Sequence, residues 1–211
     1  MASLGVILGI AFMLSFTPRA LASETEIGDF LGKIEEAGTA PGPEDIYYLD
    51  GASARSSQWP AKKSQLEAPG PQTVRISAGD INSWLRSNFQ FANEPEAGAG
   101  GTITLIPGMP SVAMGRSDVL YLSMPVEVLA FGARKKWTLF LKSDVATGDF
   151  RIEELRMQSA KIPLANLLGK RVLGTFLNGL RSQEAFGFVT DALERAESIK
   201  VENAELVLDL L

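Results

Sequence analysis

Residues 119–131 read VLYLSMPVEVLAF, and this stretch decides the fold. Every second residue is apolar, whereas the positions between them include Tyr121, Ser123, Pro125 and Glu127. A period of two is typical of a β-strand that buries one face. We therefore predict a long strand with one continuous apolar face, made of Leu120, Leu122, Met124, Val126, Val128 and Ala130.

The segments around this strand extend it into an antiparallel meander. Gly132-Ala133 suits a two-residue type II′ hairpin turn, and Thr147-Gly148 marks a second turn. The alternation of apolar and polar residues resumes after each turn, so both turns connect neighbouring antiparallel strands. The predicted strands are 102–106, 111–116, 119–131, 136–145 and 149–160.

Helical periodicity returns after the meander. Pro163 suits the first position of a helix, and an apolar stripe follows it from Leu164 to Leu180. Ser182 can cap a second helix, and residues 200–211 alternate again as a final strand. We predict an α+β fold for residues 72–211. It consists of a curved antiparallel meander, helices packed on one of its faces, and a C-terminal strand that returns to the sheet.

The N-terminal residues resemble an export signal. The apolar run from Leu4 to Leu14 is shorter than the roughly 20 residues that span a bilayer. It is followed by Pro18 and by Ala20-Leu21-Ala22, a small-x-small cleavage pattern. We expect residues 1–22 to be a signal peptide cleaved after Ala22, and the protein to be periplasmic or extracellular. The alternative is a retained anchor, because no Lys or Arg precedes the apolar run.

Residues 23–71 are predicted to precede the folded domain as a short helix and a strap. The helix covers residues 23–37, and the strap, residues 38–71, is rich in Pro, Gly and Ser. Its apolar residues at 46–49 and Trp59 are unusual for a free linker. Either they pin the strap to the domain or they form a partner-binding motif, and we favour pinning because exposed aromatic residues are costly.

Composition excludes several classes of catalyst. The chain contains no Cys and no His, so it has no thiol nucleophile, no Ser-His-Asp triad and no Cys or His ligand for zinc. The glycines of Gly169–Gly174 have phosphate-loop spacing, but Thr175-Phe176 replaces the required Lys-Ser/Thr. The sequence therefore predicts no enzyme activity, no catalytic residue, no cofactor and no metal.

The net charge argues against a nucleic-acid partner. Removing residues 1–22 takes away Arg19 and leaves 25 acids against 19 bases. The resulting net charge of −6 disfavours nucleic-acid binding.

Carboxylates are the remaining candidates for chemistry. Paired acids can act as glycosidase acid and base or can bind calcium. We favour solvated surface positions for all of them, and the same holds for the basic cluster Arg134-Lys135-Lys136 at a strand end. The acidic candidates are Glu153 with Glu154, Asp144 with Asp149, and Glu202 with Glu205 and Asp209.

The order of these elements resembles a known family. The residues that carry the likeness are the helix start Ser77-Ala-Gly-Asp80-Ile81-Asn82, the Ile162-Pro163-Leu164 opening and the closing stretch Ile199–Leu206. Ser77 and Asp80 also form a capping-box pattern. Residues 72–211 are similar to YpmS-like envelope proteins and, more distantly, to LmeA-like phospholipid-binding proteins. The resemblance implies an extracytoplasmic α+β fold with a groove that holds lipid.

These observations favour a binding protein of the cell envelope. We expect a lipid or amphiphile to lie between the sheet and the helices. The alternative is that the residues expected to line this groove fill an ordinary core. Membrane association is left open. The alternative is an assembly protein that binds another envelope protein through the strap or a sheet edge. A carboxylate-only hydrolase is the third hypothesis. The expected groove residues are Leu120, Leu122, Met124, Val126, Val128, Leu164, Leu168 and Phe176.

Overall fold

A computed structural model describes the chain apart from residues 1, 39, 52–55, 89–103, 116–117, 131–132, 146–150 and 164–186. The described residues form helices and antiparallel sheets that do not close into a barrel, which confirms the α+β class. The helices are α1 (Ala2–Ser15), α2 (Glu24–Ala37), α3 (Trp59–Glu67), α4 (Ala78–Asn88) and α5 (Gly187–Arg195). None of them combines the length and apolar composition needed to cross a membrane.

The strands form two antiparallel sheets and one short parallel pair. In the large sheet, β6 (Val119–Ala130) pairs along its whole length with β7 (Ala133–Asp144), and β4 (Thr104–Pro107) and β5 (Ser111–Met114) pair with the two halves of its other edge. The strands are β1 (Arg19–Leu21), β2 (Tyr47–Leu49), β3 (Gln72–Ser77), β4 (Thr104–Pro107), β5 (Ser111–Met114), β6 (Val119–Ala130), β7 (Ala133–Asp144), β8 (Arg151–Met157), β9 (Ala160–Lys161), β10 (Ala196–Glu202) and β11 (Glu205–Leu210).

The predicted meander is confirmed, with one shift in a turn and one strand that ends early. The strand predicted at 149–160 ends at Met157, because the chain turns at Gln158, whose φ is 54°, and Ala160–Lys161 pairs back on β8 as β9. Ala130 pairs with Ala133, so Ala133 belongs to β7 and the hairpin connection is residues 131–132, outside the described part. The Gly132-Ala133 turn was therefore placed one residue too late. Because the register is continuous through Met124 and Leu139, the even-numbered face of β6 lies beside the apolar side chains of β7.

The C-terminal strand does not return to the meander. Residues 196–210 form a hairpin, β10–β11, which turns at Asn203 and Ala204 with positive φ values of 54° and 62°. β11 then pairs with β3 over six residue pairs, which makes a separate three-stranded sheet. The predicted single strand at 200–211 was wrong, because the polar turn Asn203-Ala204 divides this stretch into two strands.

The predicted strap contains regular structure. Its first part has a 3₁₀ turn at Pro43–Asp45 and β2, which pairs in parallel with β1. Its second part is α3, where Pro60 is tolerated because it lies in the first turn of the helix. Trp59 packs against Trp84 of α4 and Phe188 of α5, with ring centroids 5.8 and 5.9 Å away.

Two apolar clusters form the core. The first, which we call the junction cluster, joins α3, α4 and α5 to the small sheet and to one end of the large sheet, and Leu66, Trp84, Val145 and Leu208 are among its members. The second, which we call the sheet cluster, consists of Met124, Val126, Val128, Leu139, Leu141, Leu155 and Ile162. The helix predicted after Pro163 lies outside the described residues, and of the second predicted helix the structure describes Gly187–Arg195.

Candidate functional site

The β6 residues that were predicted to line a groove lie together on one face of the large sheet. Leu120, Met124, Val126 and Val128 are buried, with 4–7% of their surface exposed, and Leu122 is half-buried. Their spacing along one strand places all five on the same face of the sheet, as the alternation predicted. Leu122 packs against both apolar clusters, so the face is continuous from the junction cluster to the sheet cluster.

The buried members of the sheet cluster come mainly from strands. Six of its seven buried members come from β6, β7 and β8, and the seventh is Ile162, just after β9. In the part of the chain that the structure describes, no helix contributes to it. Leu164, Leu168 and Phe176, the predicted opposite wall, lie outside the described residues. The structure therefore describes the β6 residues of the predicted groove, and the groove itself stays a prediction.

The opposite face of the large sheet is covered by the strap and by residues 16–18. The ring of Tyr48 stacks on Phe140 at 5.5 Å, and the hydroxyl of Ser159 donates to the carbonyl of Pro43 at 2.6 Å. Burial, together with the nearby Asp50 carboxylate, raises the pKa of Tyr48 above its ordinary value. The apolar strap residues thus pin the strap to the sheet, as favoured from the sequence.

Between the strap, α4 and the sheet lies a half-open cleft of about 370 Å³. The Ser111 and Ser123 hydroxyls are 2.8 Å apart within it, and Ser111 also contacts Asp50 at 3.4 Å. The sequence did not predict this cleft. No local motif could have indicated it, because its lining comes from the strap, from α4 and from three strands. The lining residues are Tyr48, Asp50, Arg86, Met109, Pro110, Ser111, Ser123, Met124, Pro125 and Thr138.

The helix start predicted at residues 77–82 forms the N-terminal end of α4 and places this helix against the sheet. The backbone N–H and the hydroxyl of Ser77 donate to Asp80 Oδ2 at 2.9 and 2.8 Å, and the N–H of Asp80 donates back to Ser77 Oγ at 3.1 Å. This is the predicted capping box. Burial acts to raise the pKa of Asp80, but hydrogen bonds from Ser56 and Ser77 outweigh it and hold that pKa below its ordinary value.

The candidate carboxylates are distributed over two sheets. Glu153 bonds Lys142 at 2.9 Å, a hydrogen bond that raises the pKa of Lys142, and Glu154 pairs with Arg156. These acids lie on β8 of the large sheet. Since each pairs with a base on its own sheet, neither is available as an unpaired general acid or base.

The remaining acidic candidates lie on the small sheet. Glu202 bonds Arg75 at 3.1 Å, and Glu205 approaches the same guanidinium at 3.9 Å. Asp209 accepts hydrogen bonds from Ser198 and Thr73, which lower its pKa. Among the described residues no group of three or more acids could hold a metal ion. The acidic cluster that a carboxylate-only hydrolase requires is therefore not formed by Glu153, Glu154, Glu205 and Asp209.

The two remaining predicted charge groups also lie at strand ends. Asp144 is the last residue of β7, opposite Arg151, and Asp149 lies outside the described residues. Arg134, Lys135 and Lys136 occupy the exposed start of β7, where Arg134 pairs with Glu127 at 3.6 Å. These positions agree with solvated strand ends.

Comparison with known proteins does not assign the chain to a family. No protein-family model matches the chain, and no curated protein matches it. The function is therefore argued from the residues and their geometry.

Proposed function

We propose that this chain is an exported, non-catalytic envelope protein that binds a lipid acyl chain, or a similar apolar ligand, against the apolar face of β6. The observation that carries the proposal is the apolar face of β6, where Leu120, Met124, Val126 and Val128 are buried and Leu122 packs against both the junction cluster and the sheet cluster. The apolar stripe that the sequence carries from Leu164 to Leu180 is the proposed opposite wall of the acyl-chain site.

The dimensions of the face suit such a ligand. Leu120 to Val128 spans nine residues, or eight steps of about 3.3 Å, roughly 26 Å along the strand. The hydrocarbon of one membrane leaflet is about 15 Å thick, half of the roughly 30 Å bilayer core. The apolar face along β6 is therefore longer than the depth that an acyl chain occupies in one leaflet. The same class of ligand is implied by the resemblance to LmeA-like proteins.

The arrangement of charged groups favours binding without catalysis. The acids Glu153 and Glu154 on β8 are paired with bases, and on the small sheet Glu202 is paired with Arg75 and Asp209 with two hydroxyl groups. On β6 itself, the residues of the apolar face from Leu120 to Val128 carry no titratable group, and Lys135 of β7 lies in register with Val128 at the end of this face. A ligand on this face would meet aliphatic and thioether groups, which hold an acyl chain but cannot transfer a proton.

The packing of the strap weighs against the alternative of an assembly protein that binds through it. Tyr48 and Leu49 are packed on the protein itself, and Trp59 lies between two other aromatic rings. One edge of the small sheet, β10, carries Glu197, Lys200 and Glu202, and charged residues are a common protection against edge pairing.

Native mass spectrometry of the full chain, followed by organic extraction, tests the proposal. We expect a lipid adduct that extraction removes. The variants Val126→Phe and Val128→Phe should abolish the adduct, because each adds a ring where the acyl chain would lie. The matched control is Val201→Phe, a buried position in the junction cluster, which should keep the adduct. The proposal fails if the protein carries no lipid, or if Val201→Phe removes the lipid as completely as Val126→Phe does.

A further inference from the structure

Residues 16–21, which belong to the predicted signal peptide, are part of the fold. Arg19 N donates to Ile46 O and Asp50 N donates to Leu21 O, both at 2.8 Å, which fixes β1 beside β2. Leu21 is 7% exposed, and Pro18 is buried. A leader that is cleaved away contributes nothing to the mature protein, so no such pairing is expected of it.

The preceding residues are attached to the large sheet. The carbonyl of Phe16 accepts a hydrogen bond from the backbone N–H of Ser159 at 3.3 Å. The side-chain amide of Gln158 donates to the hydroxyl of Thr17 at 3.2 Å. Gln158 and Ser159 are themselves buried, at 4% and 1% exposure. The segment between α1 and α2 is thus held at both ends, by the sheet and by the strap.

Helix α1, in contrast, has large apolar side chains that are exposed to solvent. Leu8, Ile10, Phe12 and Met13 are 60, 51, 55 and 37% exposed. At about 100° per residue these four side chains span roughly 200° of the helix circumference, well beyond the narrow stripe by which a helix docks on a protein groove. The sequence has no charged residue from Ala2 to Pro18. Lipid surrounds a helix, whereas a protein groove contacts only one side of it. A helix that is apolar around most of its surface therefore fits lipid better than a protein groove.

We infer that residues 1–22 are retained, and that α1 embeds in the hydrocarbon of a lipid bilayer and holds the domain at the membrane surface. Fourteen residues of helix are about 21 Å long, less than the roughly 30 Å hydrocarbon core, so α1 enters the bilayer without traversing it. Arg19 follows the helix at the point where the chain joins the folded domain. The inference replaces the predicted cleavage after Ala22, and it does not depend on the proposed ligand.

Vesicle flotation of the full chain with phosphatidylcholine liposomes tests the membrane contact. We expect the wild type to float with the vesicles, and the double variant Ile10→Asp/Phe12→Asp to bind them roughly tenfold less or weaker still, because a buried carboxylate opposes insertion. The matched control is Leu31→Asp/Leu193→Asp, which places the same charges at exposed leucines of α2 and α5 and should float like the wild type. Equal flotation of both double variants, or a wild type that stays with the soluble fraction, would overturn the inference.

The intact mass of the protein from a secreting host tests retention independently. We expect the chain to include residues 2–22. A mass that begins at Ser23 would overturn the inference, whereas the lipid adduct of the proposed function could still be present in that shorter protein. Failure of the acyl-chain proposal, in turn, leaves flotation unchanged, so the two experiments separate the two claims.

Discussion

Asn82 hydrogen-bonds both backbone polar groups of Val112. The N–H of Val112 donates to Asn82 Oδ1 at 2.7 Å, and Asn82 Nδ2 donates to the carbonyl of Val112 at 2.8 Å. The same Nδ2 donates to the carbonyl of Gly51 at 2.7 Å. With 1% of its surface exposed, Asn82 joins α4 to β5 and to the strap in a single buried contact.

Replacing Asn82 by alanine should therefore destabilise the fold strongly. The variant would leave the N–H and C=O of Val112 and the C=O of Gly51 without their partner, and each buried unpaired group costs about 1–3 kcal/mol. We expect Asn82→Ala to lower the free energy of unfolding in urea by about 3 kcal/mol. The control is Asn88→Ala near the end of α4, where one partly buried bond to Trp84 O is lost and about 1 kcal/mol is expected. A smaller loss at Asn82 than at Asn88 would refute this role.

Gly51 is required where the strap approaches β5. A Cβ at this position would overlap the carbonyl oxygen of Val112, which is held in place by Asn82. We expect Gly51→Ala to lower the melting temperature, with a loss of about 1–3 kcal/mol from forced backbone movement. Gly28→Ala is the matched control, because nothing lies within 4 Å of a Cβ there and Gly28 is inside α2. That substitution should stabilise by about 0.5–1 kcal/mol, and a loss at Gly28 as large as the loss at Gly51 would contradict the account.

The capping box should make stability depend on pH through Asp80. Its pKa is lower in the folded protein than in the unfolded chain, so its contribution is present above the ordinary carboxylate pKa of about 4 and is lost as pH falls through the folded value. We expect Asp80→Asn to cost about 1 kcal/mol near neutral pH, the usual size of a helix cap. Urea unfolding of both proteins at a series of pH values checks this. The difference should vanish in acid, and a difference that stays constant with pH would exclude the carboxylate as its source.

Two deletions distinguish the roles of α1 and β1. Removing residues 1–14 takes away most of α1, whose described side chains are largely exposed, and should leave the free energy of unfolding unchanged within about 0.5 kcal/mol. Removing residues 1–22 also takes away β1 and the buried Leu21, and should cost at least 2 kcal/mol, the lower range for deleting one buried leucine side chain. Chemical denaturation of both shortened chains measures the difference. Equal stability of the two would mean that residues 15–22 are not part of the fold.

The sequence predicted correctly the features that depend on residues close together in the chain. The alternation at 119–131 predicted β6 and its apolar face, and the spacing of Ser77 and Asp80 predicted the cap of α4. β1 and β2 were missed because three-residue strands in parallel pairing have no periodicity of their own and depend on a distant partner. The final strand was placed in the wrong sheet because alternation indicates which face is buried but not which strand lies beside it.

The cleft and the buried role of Asn82 were not predictable for a related reason. Asn82 bonds groups 30 and 31 residues away, and the cleft lining spans residues 48–138. Such contacts arise only after the strap, α4 and the large sheet have assembled. For the predicted groove, composition cannot separate a ligand pocket from a filled core, since both are lined by the same aliphatic residues.

A competition titration with a fluorescent fatty acid tests the central claim, acyl-chain binding on β6, most directly. The full chain carrying Ile10→Asp/Phe12→Asp serves as background, so that binding to α1 does not contribute to the signal. We predict saturable binding of one probe per chain that Val128→Phe abolishes and Val201→Phe preserves. Absence of saturable binding, or a Val128→Phe protein that binds the probe as well as the background chain does, would contradict the account.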